Sequence, residues 1–200
     1  VSVFTAREQE LGLRLAKQVM KIFIGGSRAF SRLNAIIRDR LDDVMKKGCT
    51  VLIGDANGGD KAVQQYFADR HYSAVIVYCM ESCRNNVGDW PTRSIEPPSG
   101  STGFSYYSAK DLVMSQEAGC GLMLWDGKSK GTLQNMLRLI GARKPTLVYF
   151  APTKDFHRLV NEVDLQALLA RCRKSDLDLA ARGLGLKHPL TQPHLPLAPV

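Results

Sequence analysis

At 200 residues the chain has room for one substantial domain with short appendages, and its 44% apolar and 23% charged content is that of an ordinary globular protein. No apolar stretch approaches the roughly 18–20 residues of a membrane span, and the opening VSVFTAREQE lacks the hydrophobic region of a secretory signal, so a cytoplasmic protein with no membrane partner is expected. The net charge of +8 suits an anionic ligand, but Lys and Arg form no long block and do not alternate with aromatic residues, which disfavours long nucleic acid as a partner.

Taken in chain order, Thr5 and Glu8 form a T-x-x-E capping box opening a short helix with Leu11 and Leu15 on one side, so residues 1–19 read as an N-terminal helical extension. KIFIG (21–25) is a first strand. The segment after it carries Leu33, Ile36, Ile37, Leu41, Val44 and Met45 on one helical stripe, and Gly48 ends that helix. TVLIG (50–54) is the second strand, GGDKAVQQYFADR (58–70) a helix with Asp60 as either its N-cap or a ligand contact, and AVIVYC (74–79) the third strand. A long loop with three prolines runs from about 80 to 103, and a helix follows over about 106–117. GLMLW (121–125) is strand four and TLQNMLRLIGA a helix with Leu133, Met136, Leu137 and Ile140 in register. TLVYF (146–150) is strand five.

Beyond it, FHRLV and DLQALLARCR read as one or two helices, making 151–182 a C-terminal helical extension, and 183–200 a Pro-rich tail. Short strands alternating with helices predict an α/β Rossmann-like three-layer sandwich over residues 20–150, with a parallel sheet of about five strands.

Cysteines 49, 79, 83, 120 and 172 are too few for a disulfide scaffold. Cys79 and Cys83 form a lone C-x-x-x-C without the further ligands a structural zinc needs, so reduced thiols and no metal are expected.

In a parallel sheet every strand-to-helix loop emerges at one edge, where such sheets bind ligands. The loops here are Gly25-Gly26-Ser27-Arg28, then Asp55-Ala56-Asn57-Gly58-Gly59-Asp60, then a third with Arg84, Asn85 and Asn86, then Asp126 to Thr132. The last contains GKS but is not a Walker A loop, because Leu122 stands where that motif needs glycine. Gly127, Ser129, Gly131 and Thr132 instead predict an anion-binding turn, with amides and the helix dipole aimed at a phosphate or carboxylate. Tyr106 and Tyr107 open the helix facing this edge, one to stack on a base and one to pack inward, with Lys110 and Asp111 a turn further on. Trp125 reads as core.

IGGSRAF, IGDANGGDKAV and LWDGKSKGTLQN, in this order, resemble the SLOG superfamily, the Rossmann-like group that includes the lonely-guy enzymes and DprA proteins. The resemblance covers about residues 20–150 and is closest to small bacterial and phage members with GSR, GDA-x-G-x-D and WDG-x-S-x-GT motifs. It implies a nucleotide or nucleotide-derived ligand, no separate cofactor, and a homo-oligomer. In the lonely-guy pattern P-G-G-x-G-T-x-x-E, Asp126 stands at the proline and Asn135 at the glutamate, and Lys110-Asp111 replaces an Arg-Lys pair. An amide cannot supply the carboxylate charge of that N-glycosidic hydrolysis. Asp126, Asp55 or Asp111 remain to replace it, with Lys110 a further catalytic candidate. Three functions therefore stay open: nucleotide binding, nucleoside-monophosphate hydrolysis, and DprA-type single-stranded DNA binding. For the first, Ser27, Arg28 and the Gly127–Thr132 loop are assigned to phosphate, Asp55 and Asn57 to ribose hydroxyls, and Arg84, Asn85, Asn86 or a tyrosine to the base.

Overall fold

A pleated strand sends successive side chains to opposite faces, and here both sets are apolar. Ile22 and Ile24 of β1 (Lys21–Gly26) pack on one side, and Phe23 packs on the other. Such a strand needs cover on both faces, the situation of a central strand in a parallel sheet. The computed structural model describes residues 19–185; the Thr5–Glu8 capping box and most of the Pro-rich tail lie outside the described residues.

After β1 come α1 (Ala35–Lys46), β2 (Thr50–Gly54), α2 (Gly59–Ala68), β3 (Val75–Met80), β4 (Thr92–Ile95) and α3 (Gly103–Glu117). Then follow β5 (Cys120–Trp125), α4 (Lys130–Gly141), β6 (Thr146–Phe150), β7 (Asp155–Leu159), α5 (Glu162–Leu169) and α6 (Lys174–Arg182). They form a seven-stranded sheet in the order β4-β3-β2-β1-β5-β6-β7, parallel throughout except that β7 runs antiparallel to β6. Helices α1 and α2 pack on one face through Ile37, Leu41, Val63 and Phe67. Helices α3 to α6 pack on the other through Met114, Leu133, Met136, Leu165 and Leu177. This is the Rossmann-like three-layer α/β arrangement. Trp125 is fully buried in it. No helix among the described residues is long and apolar enough to cross a membrane.

Two strands exceed the five read from the sequence. The loop of residues 80–103 contains β4, whose TRSI is mostly exposed and so carries no apolar alternation. Most of the FHRLV segment, read as helical, lies in β7: only four residues separate β7 from β6, too few for a crossover, so the chain turns back as a hairpin. Two further expectations are corrected. Ile36 is 48% exposed, because the stripe that α1 buries is the narrower Ile37, Leu41 and Val44. Asp60 is not the N-cap of α2. That position is Gly58, at φ +87°, where a Cβ would lie 2.4 Å from the Arg28 backbone. Only glycine fits such a turn.

Candidate functional site

The chain leaves β1 for β2 and returns beside β1 as β5, so the strand order reverses between these neighbours. At such a switch point the two following loops diverge and leave a crevice at the carboxyl ends of the strands. The Ser27 amide donates to the Leu124 carbonyl at 2.9 Å, joining the two rims. A cavity of about 370 Å³ opens there. Gly25 and Gly26 line it from the end of β1, Arg28 from the loop that follows, Asp60 from α2, and Arg84 from the loop after β3. Helix α3 contributes Phe104, Tyr107, Ser108, Lys110, Asp111 and Met114; the last rim contributes Asp126, Ser129, Lys130, Gly131, Thr132 and Asn135.

The last rim is built around one carboxylate. Asp126 Oδ1 accepts from the Ser129 amide (2.8 Å), the Lys128 amide (3.2 Å) and Ser27 Oγ (3.0 Å). Ser27 Oγ also lies 3.3 Å from Thr132 Oγ1, so Ser27 stands directly behind the wall. Gly127 turns the chain at φ +83°. Asp126 therefore takes up the loop amides 128 and 129 itself. Those of Lys130, Gly131 and Thr132 open α4, where amides have no carbonyl one turn back, and Ser129 makes no side-chain cap for them.

Beneath the crevice lies a cluster of charges. Lys110, 3% exposed, reaches Asp111 Oδ1 at 2.8 Å and Asp55 Oδ1 at 3.9 Å. Burial alone would lower its pKa, but Asp111, Asp60 and Asp55 outweigh that and raise it. Asp60 accepts from the Gly26 and Ala56 amides, each at 3.3 Å. Burial pushes its carboxyl up to about 6, against the pull of Lys110 and with the repulsion of Asp111. Gly54 makes the space, since a Cβ there would lie 2.6 Å from Asp60 Oδ2 and 2.9 Å from Lys110 Nζ.

Asp55 is gripped by a two-pronged Arg84 bond (2.7 and 3.0 Å) and by the Arg84 amide (3.0 Å). Burial raises its pKa, but these bonds and Lys110 prevail and hold it below the usual carboxylate range. Asn85 donates to the Asp55 carbonyl (2.7 Å) and to Asn57 Oδ1 (3.0 Å), while Asn86 closes its own loop on Trp90. Asp55, Asn57 and Asn85 thus hold the second and third loops together, and neither they nor Asn86 line the cavity; nor do Gly58, Gly59 and Gly127. Of the four candidates for chemistry, Asp126, Asp111 and Lys110 line it and Asp55 lies behind.

Cys79 and Cys83 are joined by a disulfide across a Cα–Cα distance of 5.0 Å, which corrects the expectation of reduced thiols at this pair. It sits immediately before Arg84. Among the described residues no group of three or more His, Cys, Asp and Glu is placed to hold a metal.

Sequence reasoning passed over Phe104, Ser108 and Met114. With Tyr107 and Asp111 they recur at i, i+3, i+4, i+7 and i+10, the signal of one helix face. Because that face mixes aromatic, hydroxyl and charged groups, it does not read as a buried stripe.

A mostly parallel sheet with a polar crevice at its switch point defines a Rossmann-like fold. No protein-family model and no curated protein matches the chain by sequence. Among solved structures, its fold is similar to that of DNA processing protein A from Helicobacter pylori, described for its single-stranded DNA binding mode. The TM-score is 0.52 at 13% identity, over 83% of this chain and 80% of that one. At that identity the likeness is one of fold.

Proposed function

We propose that the chain binds a nucleotide or nucleotide-derived small molecule in this crevice. The carrying observation is the division of the cavity wall. One part has the opening amides of α4 with Arg28; another has aromatic rings, with the Arg84 guanidinium 4.7 Å from the Tyr107 ring centre and Lys130 Nζ 4.2 Å from that of Phe104. The first suits a phosphate and the second a base. Of the four cationic side chains lining the cavity, Arg84 is paired with Asp55 and Lys110 with Asp111, while Arg28 and Lys130 form no ion pair among the described residues and are left to favour an anion. A volume of about 370 Å³ lies at the small end of ligand pockets and suits one nucleotide unit.

Gly131→Asp tests this. A Cβ at Gly131 meets only Phe104 Cε2 at 3.7 Å, an ordinary contact, and a carboxylate in a first helical turn is favourable, so the variant folds. Its charge would stand where the phosphate sits. Calorimetry with nucleoside monophosphates is expected to show binding to the wild type and none to the variant, at unchanged circular dichroism; equal affinity would remove the loop from the site.

The fold similarity to DNA processing protein A favours a second reading, single-stranded DNA binding. It requires affinity for an oligonucleotide that falls steeply with salt, with a slope of about 0.7 per phosphate neutralised. The small-ligand reading expects no such binding.

A further inference from the structure

We propose that Asp111 and Asn135 read the two ring hydroxyls of a ribose, so that the crevice takes ribonucleotides in preference to 2′-deoxyribonucleotides. This rests on the nucleotide reading of the same crevice and names the sugar.

The residues first assigned to sugar hydroxyls, Asp55 and Asn57, are used by Arg84 and Asn85 outside the cavity wall. Three carboxylates do line it, and they are unequally committed. Asp60 is 7% exposed and serves two backbone amides; Asp126 serves two amides and a hydroxyl. Asp111 has only side-chain partners, Lys110 on Oδ1 and Asn135 Nδ2 on Oδ2 at 3.1 Å, and its side chain keeps 19% exposure. A carboxylate has about four lone-pair positions, so each Asp111 oxygen retains capacity to accept. Asn135 is 5% exposed, and its amide is oriented at both ends: Nδ2 donates to Asp111 and Oδ1 accepts from Arg138 Nη1 at 3.4 Å. Its second Nδ2 hydrogen is left to donate. An oriented carboxylate beside an oriented amide donor complements adjacent hydroxyls, each of which donates and accepts.

The spacing agrees. Gly131 and Asn135 lie one turn apart on one face of α4, about 6 Å along its axis, and helical side chains lean toward the N-terminus. A phosphate on the opening amides would place the next ring of the ligand against Asn135 and Asp111.

Removing the 2′-hydroxyl takes one hydrogen bond from a charged acceptor, and hydrogen bonds to charged groups correspond to about 10- to 100-fold in affinity. The test is calorimetry of the whole chain with the four ribonucleoside 5′-monophosphates and their 2′-deoxy counterparts. Wild type is expected to bind at least one ribonucleotide about 10- to 100-fold tighter than its deoxy form. Asp111→Asn should shrink that ratio, losing affinity mainly for the ribonucleotide. Asn135→Ala, which leaves the Lys110–Asp111 pair intact, should shrink it too, and decides the matter if the first variant does not fold. Equal affinity, or a preference for the deoxy form, overturns the sugar assignment and leaves the crevice reading standing. A ratio unchanged in both variants overturns the assignment to these two residues. No binding of any of the eight overturns both readings.

Discussion

Asp60 holds its proton up to about pH 6, whereas an aspartate ordinarily releases it near 3.8. Between those values the native state binds more protons than the unfolded chain, so its contribution is full below about pH 4, falls as pH rises, and is gone above about 6. Asp60→Asn removes this dependence. The stability of wild type relative to the variant should therefore decline by roughly 3 kcal/mol across that window, at 1.36 kcal/mol per pH unit, as read by urea denaturation at each pH. Taking the difference matters because Asp55, whose pKa is lowered, acts in the opposite sense and loses its contribution as pH falls. A flat difference would mean that Asp60 ionises as an exposed aspartate does. In the sequence an aspartate at the start of a helix reads as a cap, the commonest use of that residue there, or as a ligand contact. Of its two amide partners, Ala56 is local, but Gly26 is 34 residues away, and only the folded chain brings that pair together. Asp55 is similar: an acidic residue beside a glycine-rich turn looks like a ligand contact until Arg84, 29 residues on, is seen bonded to both its oxygens.

Among the strands, those covered on both faces were legible and the two that are not were missed. Strands β1, β2, β3, β5 and β6 are continuous apolar runs because both their faces are covered, and such runs need no partner to be recognised. Strand β4 exists through its pairing with β3, and β7 through its hairpin with β6. Helix α1 illustrates an end that local sequence does specify. Asn34 accepts from the Ile37 amide at 3.0 Å and donates from Nδ2 to the Tyr149 hydroxyl at 2.6 Å, so one side chain starts the helix and ties it to β6. Asn34→Ala should cost about 1–2 kcal/mol, the upper range for a cap, whereas Asn34→Asp, which keeps the cap acceptor, should recover part of it. Chemical denaturation of the three proteins checks this; equal losses in both variants would assign the effect to the Tyr149 bond alone.

For the whole molecule, the crevice draws on both halves of the sheet, so a ligand there binds the native state and not its separate parts. At a hundredfold excess over Kd, such binding stabilises by about 2.7 kcal/mol, or roughly 5–10 °C in the unfolding midpoint for a domain of this size. A nucleotide should therefore raise a single cooperative transition in a thermal scan of the wild type and leave that of Gly131→Asp in place. A ligand that split the transition in two would place its site within one half. The gathering of the loops at one edge was legible, since parallel strands require it; which loop residues face inward was not, because that depends on bonds such as Asn57–Asn85 between separate loops. The pairing of β1 with β5 has one more consequence. Ser27 and its bonding partner Asp126 are 99 residues apart, so during synthesis the flank of β1 that receives β5 waits bare while half the protein is still being made. An unsatisfied strand edge is a template for other chains, and this one stays open until the segment that completes the crevice arrives to cover it.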